Sequence, residues 1–221
     1  MKLLLDSAKT DEIRHALEMW DLDGITTNPR HIEAAGKPFR QAIGEIAEIF
    51  AGTDKDVSVE VNPHIVEWRE IVHEGRELAA ISPNFVIKVG VSESGFKAIR
   101  TLASEGIRVN ATLIFTVAQA WHASRAGAAF VSPFLGWKEQ YGDSATTFIS
   151  EVREMLDVQD YDAKLLAASI RNAAQIGDAA GAGADLVTAS MDVYKDSMSN
   201  PYTTYGEKFF QDGWDATPEG E

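Results

Sequence analysis

FVIKVG, residues 85–90, places a single lysine among apolar and mostly β-branched neighbours. Such a run reads as a strand buried on both faces, of the kind found in parallel sheets covered by helices. An ammonium in that setting costs on the order of several kcal/mol unless it is paired or put to use. Lys88 therefore raises two questions together: which sheet holds this strand, and what the lysine does inside it.

Working outward, short β-like runs of the same kind recur along the chain: KLLLD (2–6), GITTNP (24–29), VSVEV (57–61), RVNATLIF (108–115), AFVSPF (129–134), KLLAAS (164–169) and DLVTAS (185–190). Helix-like segments separate them. Ile13, Ala16, Leu17 and Trp20 share one helical face, as do Phe39, Ile43, Ile46 and Phe50, then Ile65, Trp68 and Val72, then Phe96 and Ile99, and later Phe148, Val152 and Leu156. Eight β-like runs, roughly 20 to 35 residues from one to the next, predict an α/β fold of the (β/α)8 (TIM) barrel type; an open doubly wound sheet is the alternative. The aromatic and branched residues on the helical faces are read as core.

The 221 residues, 45% of them hydrophobic, suffice for one sizeable core, and no Pro/Gly/Ser-rich linker divides them. The expectation is a single domain over 1–221, with an aromatic C-terminal helix at 201–214 and a loose tail at 215–221. A net charge of −14 argues against a nucleic-acid partner, which needs a concentrated basic face. The absence of cysteine rules out disulfides, thiolate nucleophiles and Cys-based zinc sites, and suits a reducing cytoplasm. MKLLLDSAKTDE, at the start, is too short in apolar residues for a signal segment, and no window approaches the ~18 apolar residues of a membrane span. The histidines at 15, 31, 64, 73 and 122 show no HExxH or HxH spacing, so no metal is expected. There is no GxSxG, P-loop or dinucleotide fingerprint, and no cofactor is expected.

The polar content of the strands carries the chemistry. Residues two apart share a face, so counting back from each C-terminal strand end gives the side chains sent toward the barrel axis: Asp6; Thr26 and Asn28; Ser58 and Glu60; Lys88; Asn110 and Thr112; Ser132; Ser169; Thr188 and Ser190. Every strand is thereby expected to contribute a polar group near its C-terminal end, where a purely structural barrel would use branched apolar residues. A desolvated lysine is biased toward the neutral amine, which attacks carbonyls to form a Schiff base and so stabilises a carbanion beside it. Glu60 and Asp6 are carboxylates of the type that chemistry needs as proton shuttles. The residues leave open a second reading, in which Lys88 is only the cation of a buried ion pair with Glu60 or Asp6.

The ordered set LLLD, GITTNP, VSVEV, VIKV, VNATLIF, VSPF and AASIRN resembles the transaldolases and the related short fructose-6-phosphate aldolases over nearly the whole chain. The resemblance implies a class I (β/α)8 enzyme in which Lys88 forms a Schiff base with C2 of a ketose. It further implies that Asp6 takes the C4 hydroxyl proton, that Glu60 and Thr112 manage a water, and that Asn28, Asn110 and Ser132 hold the hydroxyls of the dihydroxyacetone unit, with Thr26 and Phe134 beside them. Glu60 and Phe134 resemble the transaldolase side of the family; the aldolases look to carry glutamine and tyrosine there.

One departure bears on the substrate. The family usually has an arginine just after SPF, whereas SPFLGWKE puts Trp137 at that position, with Ser169 and Arg171 retained after the seventh strand and Arg30 and His31 following TTNP. Phosphate favours bidentate arginine clamps, while a sulfonate is a permanent monoanion better suited to fewer cations and more neutral donors. Arg30, Trp137, Ser169 and Arg171 are the expected anion-binding residues. The pattern resembles the transaldolases of bacterial sulfosugar breakdown, which release 3-sulfolactaldehyde from 6-deoxy-6-sulfofructose and pass dihydroxyacetone to glyceraldehyde 3-phosphate, making fructose 6-phosphate. The alternatives are an ordinary fructose 6-phosphate transaldolase with Lys138 or Arg30 replacing the lost charge, a dihydroxyacetone-releasing aldolase, and a sugar-binding barrel without chemistry. Small sugar phosphates or sulfosugars are the expected partners, together with further copies of the chain: Tyr202, Tyr205, Phe209, Phe210 and Trp214 crowd the C-terminal segment, a helix expected either to cover the barrel as a lid or, as the resemblance to the short subfamily implies, to cross to a neighbouring subunit.

Overall fold

The computed structural model describes residues 1–218; residues 219–221 of the expected tail lie outside the described residues. Strands and helices alternate as β1 (Lys2–Asp6), α1 (Thr10–Met19), β2 (Gly24–Thr26), α2 (Pro29–Ala35), α3 (Phe39–Phe50), β3 (Asp56–Glu60), α4 (Trp68–Ala79), β4 (Phe85–Gly90), α5 (Glu93–Ser104) and β5 (Val109–Ile114). They continue as α6 (Val117–Arg125), β6 (Phe130–Pro133), α7 (Leu135–Gln140), α8 (Ala145–Val158), β7 (Lys164–Ala167), α9 (Ala173–Gly181), β8 (Leu186–Ala189), α10 (Met191–Met198) and α11 (Pro201–Asp215).

The strands pair in parallel and in chain order, and β8 returns to β1 through Lys2↔Leu186 to Leu5↔Ala189. That closure excludes the open sheet and establishes the (β/α)8 barrel. Gly24 makes β2 possible at this spacing: a Cβ there would stand 2.2 Å from the Asp56 carbonyl oxygen of β3.

Two apolar layers hold the barrel. Outward-facing strand residues such as Ile25, Val57, Ile87 and Val109 pack on the helical faces expected from the sequence, including Ile13, Ile43, Ile46, Phe50, Ile99, Val152 and Leu156, all fully buried. Inside, Leu4, Val86, Phe130, Leu166, Ala168 and Leu186 fill the barrel below its C-terminal mouth. They form the floor on which the polar residues stand.

The mouth is ringed by helix starts. Asn28, Ser92, Thr116, Asn172 and Ser190 follow β2, β4, β5, β7 and β8, and each side-chain oxygen accepts a backbone N–H of the next helix. The caps start the helices abruptly, so their positive N-terminal ends sit at the C-terminal rim, a favourable setting for an anionic ligand.

Two strands depart from simple alternation. The register of β5 against β6 shifts between Ala111 and Ile114, where Leu113 adopts φ +62°. This bulge turns Leu113 toward the mouth. On β7 the count by twos is out of phase. Leu166 and Ala168 face the axis, so this strand sends no polar side chain to the mouth. Ser169 lies beyond the strand with φ +57°, and the reversed backbone brings it back to the mouth.

Among the described residues no helix is long and apolar enough to cross a membrane. Helix α11 buries none of its 15 residues.

Candidate active site

A cavity of about 590 Å3 opens at the C-terminal mouth. Of the residues singled out by sequence, it is lined by Asp6, Thr26, Asn28, Arg30, Glu60, Lys88, Asn110, Ser132, Phe134, Trp137, Ser169, Arg171, Thr188 and Ser190, drawn from all eight strands or the loops after them. Ser58 and Thr112 are the exceptions; Ser58 lies fully buried under Asn110, to which its hydroxyl is bonded. Thr112 stands apart. It is fully buried beside the site and its hydroxyl has no partner. An orphaned buried hydroxyl is unusual and leaves Thr112 able to bond one small polar molecule.

The strand register brings the chemistry together. Glu60, Lys88 and Asn110 are successive register partners across β3, β4 and β5. Lys88 is buried, with Nζ 3.1 Å from Glu60 Oε2 and donating to the Thr27 carbonyl at 3.1 Å. The ammonium thus has an anion and a carbonyl within reach, which explains how the fold tolerates it. Beside it, Asn110 donates to Ser58 Oγ at 3.0 Å and accepts from Ser132 Oγ at 2.6 Å. That chain fixes the orientation of the Asn110 amide in the floor of the cavity.

Asp6 closes the other side. Its Oδ1 accepts from Thr26 Oγ1 at 2.7 Å, and Thr26 is 2.6 Å from the Thr188 hydroxyl. Its Oδ2 lies 3.1 Å from His31 Nε2. Burial pushes the Asp6 carboxyl up, but the His31 hydrogen bond and charge, the Lys88 charge and the Thr26 hydroxyl together outweigh it and hold the group below its ordinary value. Asp6 is therefore held as an anion, hydrogen-bonded by Thr26 on one oxygen and with the His31 imidazole 3.1 Å from the other. Beneath it, Tyr194 of α10 donates to the Leu4 carbonyl at 2.8 Å and is pushed far above the ordinary phenol range, chiefly by burial. It is a structural tie between α10 and β1.

Asn28 has two tasks. Its Oδ1 accepts from the backbone N–H of Arg30 and His31 at 2.9 and 3.1 Å, capping α2. Its amide NH2 lines the cavity without a hydrogen-bond partner among the described residues.

The outer mouth carries the cations. Arg171 lines the mouth with no carboxylate partner among the described residues, and its backbone N–H is held by Gln175, which contacts Glu139 in turn. Ser169 Oγ is buried and unpartnered. Trp137 is half-exposed, stacked on Phe115 at 5.9 Å and edge-on to Phe134 at 5.6 Å. Helix α7 comes this close because residue 136 is glycine: a Cβ would meet the Ser169 oxygen at 2.3 Å and Arg171 Cγ at 2.5 Å. Arg30 lines the mouth but is turned to solvent and paired with Glu33 at 3.1 Å.

Lys138 does not replace the missing arginine. Its amine bonds the Phe115 carbonyl and Asp143 and lies over the Phe148 ring, and it does not line the cavity.

His31 is the site residue that sequence reasoning left without a role. The available signal was its place three residues after a capping asparagine, in the first turn of a rim helix.

The family model for "Transaldolase/Fructose-6-phosphate aldolase" matches residues 3–217. The chain is 45% identical over 218 residues to proteins named "6-deoxy-6-sulfo-D-fructose transaldolase" from Priestia aryabhattai and Priestia megaterium, covering 98% of this chain and 96% of each relative. It is 40% identical over 211 residues to a "Probable transaldolase" of Agathobacter rectalis, covering 96% of both chains. A closed barrel whose buried lysine, carboxylates and amide meet at the C-terminal mouth agrees with that match, and the chain belongs to the transaldolase/fructose-6-phosphate aldolase family of enzymes.

Proposed function

We propose that this enzyme is a Schiff-base transaldolase that cleaves 6-deoxy-6-sulfofructose, releases 3-sulfolactaldehyde and transfers the dihydroxyacetone unit to glyceraldehyde 3-phosphate, giving fructose 6-phosphate. In this reading Glu60 takes a proton from the Lys88 ammonium, and the neutral amine adds to the C2 carbonyl. The carbinolamine hydroxyl leaves as water with a proton from Glu60, and the Thr112 hydroxyl holds that water. Asp6 then removes the C4 hydroxyl proton. The C3–C4 bond breaks, its electron pair flows into the iminium to leave an enamine, and C4 departs as the aldehyde carbon. With an acceptor the steps reverse: the enamine carbon attacks the aldehyde, Asp6 returns its proton to the new alkoxide, and water frees Lys88. Asn28, Asn110 and Ser132 hold the hydroxyls of the three-carbon unit throughout.

The observation that carries the substrate reading is the composition of the outer mouth. One unpaired guanidinium, Arg171, stands with the neutral Ser169 hydroxyl and the Trp137 indole, while Lys138 is engaged elsewhere. That is a donor set for a monoanion with three acceptor oxygens. The names of the Priestia relatives point to the same substrate.

A second reading, an ordinary fructose 6-phosphate transaldolase, draws on Arg30, which would give a phosphate its second guanidinium on leaving Glu33. Borohydride trapping with each ketose, followed by peptide mass mapping, separates the two. More efficient adduct formation on Lys88 from the sulfosugar supports the sulfonate reading. Preference for the phosphosugar overturns it, and no adduct from either overturns the role of Lys88.

Helix α11, with Tyr202, Tyr205, Phe209, Phe210 and Trp214 all exposed, is the proposed contact between copies in a homo-oligomer.

A further inference from the structure

We infer that His31 is a positioning residue for the reaction: it orients Asp6 and keeps it ionised, so that the enzyme's proton acceptor is a histidine–aspartate pair. The inference rests on the reading of Asp6 as the group that takes the C4 hydroxyl proton.

The geometry is built from the rim inward. Pro29 opens α2, and the Asn28 cap accepts from the His31 N–H at 3.1 Å, which fixes the backbone at residue 31. From there the imidazole reaches across to β1, where Nε2 lies 3.1 Å from Asp6 Oδ2. Because Thr26 donates to Oδ1 while the imidazole stands 3.1 Å from Oδ2, the carboxylate is flanked at both oxygens, which limits its rotation. The arrangement parallels a buried carboxylate and imidazole in mutual orientation, with the roles exchanged: here the carboxylate meets the substrate and the imidazole supports it from behind.

The surroundings single out Asp6 as the imidazole's partner. In the small recess on the far side of His31, Lys9 and Glu12 are paired with each other at 3.0 Å, and Ser7 also donates to Glu12 at 2.6 Å. Asp192 of α10 lines the same recess. On the ring's own helix Arg30 and Glu33 form a solvent-side pair. Toward the axis Glu60 and Lys88 are paired at 3.1 Å, and Arg171 stands on the outer mouth. Among the described residues every facing charge except Asp6, Asp192 and Arg171 is thus already matched, and only Asp6 is within bonding distance of the imidazole.

The consequence is chemical. A carboxylate facing a buried cavity is driven toward protonation by desolvation, and a protonated Asp6 cannot accept the C4 proton. The imidazole opposes that drive at the oxygen nearest to it. An Nε2–H suffices to orient the carboxylate, and a positive ring adds charge stabilisation.

The test compares His31→Ala, His31→Gln and Asp6→Asn in the full-length enzyme. Gln keeps an N–H donor at the place of Nε2 without the ring's charge. In His31→Ala, kcat for cleavage falls about tenfold and the acid limb of the kcat/KM profile moves up by about one pH unit. His31→Gln recovers most of kcat. Borohydride trapping gives an undiminished rate of Schiff-base formation, but a larger share of the trapped adduct carries the whole ketose, because cleavage and not adduct formation is slowed. Adding His31→Ala to Asp6→Asn costs nothing further.

An unchanged kcat and pH profile in His31→Ala, beside an inactive Asp6→Asn, overturns the inference alone. Full cleavage by Asp6→Asn overturns the reading of Asp6 and the inference with it. Equal loss of Schiff-base formation in both His31 variants reduces the residue to a structural role. A further loss on top of Asp6→Asn shows that the imidazole acts on substrate directly.

Discussion

Lys88 and Glu60 are register partners on adjacent strands, with Nζ and Oε2 3.1 Å apart and both side chains largely buried. The pair is strand-built, so its separation is set by the sheet and not by a loop. That is where a reaction needing proton exchange between an amine and a carboxylate is best anchored.

Replacing Lys88 with Met is expected to abolish the borohydride-trapped adduct and all transfer. It also leaves Glu60 as a buried carboxylate without its cation, at a cost of about 3 kcal/mol. The double variant Lys88→Met, Glu60→Gln removes the stranded charge and is expected to regain much of that loss. Thermal denaturation of the three proteins reads this directly. A double variant less stable than Lys88→Met would show that Glu60 is held by something other than the lysine.

Most of the barrel is legible in the sequence because strands buried on both faces are written as short apolar runs with helical faces between them. Lys88 is conspicuous by breaking such a run. The polar set of the mouth follows from alternation wherever a strand is regular, as for Asp6, Thr26, Glu60, Asn110 and Ser132. Alternation puts Ser169 at the mouth for the wrong reason: β7 runs in the opposite phase, and Ser169 arrives through a positive φ that a period-two count does not show. It also places Thr112 in the lining, where the structure buries it fully beside the cavity, next to the bulge at Leu113. His31 is harder to read, because its role comes from a distance across two elements and not from a spacing along one.

The outer mouth sets the choice between anions. Arg171→Ala is expected to raise KM for the sulfosugar by about 10- to 100-fold, the range of a lost charged hydrogen bond of roughly 1.5–3 kcal/mol, with a smaller change in kcat. Trp137→Arg restores a second guanidinium beside Arg171. The ratio of kcat/KM for fructose 6-phosphate to that for 6-deoxy-6-sulfofructose is expected to rise at least about tenfold. If the ratio stays constant in Trp137→Arg, residue 137 does not read the anion.

Asp6 ties stability to pH. Its carboxyl is held below the ordinary 3.8 despite burial, by His31, Lys88 and Thr26, so the folded state binds its proton less readily than the unfolded chain does. The resulting stabilisation is complete above the unfolded value and disappears as pH falls through it toward the lower folded value. Wild type is therefore expected to exceed Asp6→Asn in stability by a constant margin down to about pH 5, with the margin closing below that. Chemical denaturation at a series of pH values measures it. A margin that widens on acidification would mean that burial dominates and the carboxyl is raised instead.

Helix α11 presents five large aromatic side chains to solvent, from Tyr202 to Trp214, with none of its residues buried on its own barrel. An apolar surface of that kind on a single chain is normally covered by a partner, and a helix carried beyond the barrel suits exchange between identical subunits. Its start is well defined: Asn200 caps the helix by accepting the Tyr202 N–H at 2.8 Å, and Pro201 fixes the first turn. A chain ending at Asn200 keeps the whole barrel, the cavity and the Tyr194 tie. It is expected to keep Schiff-base formation on Lys88 while its mass in solution drops to that of a smaller assembly or a monomer, measured by light scattering across a concentration series. An unchanged mass after truncation would assign the association to the barrel's helices and leave α11 without a role between copies.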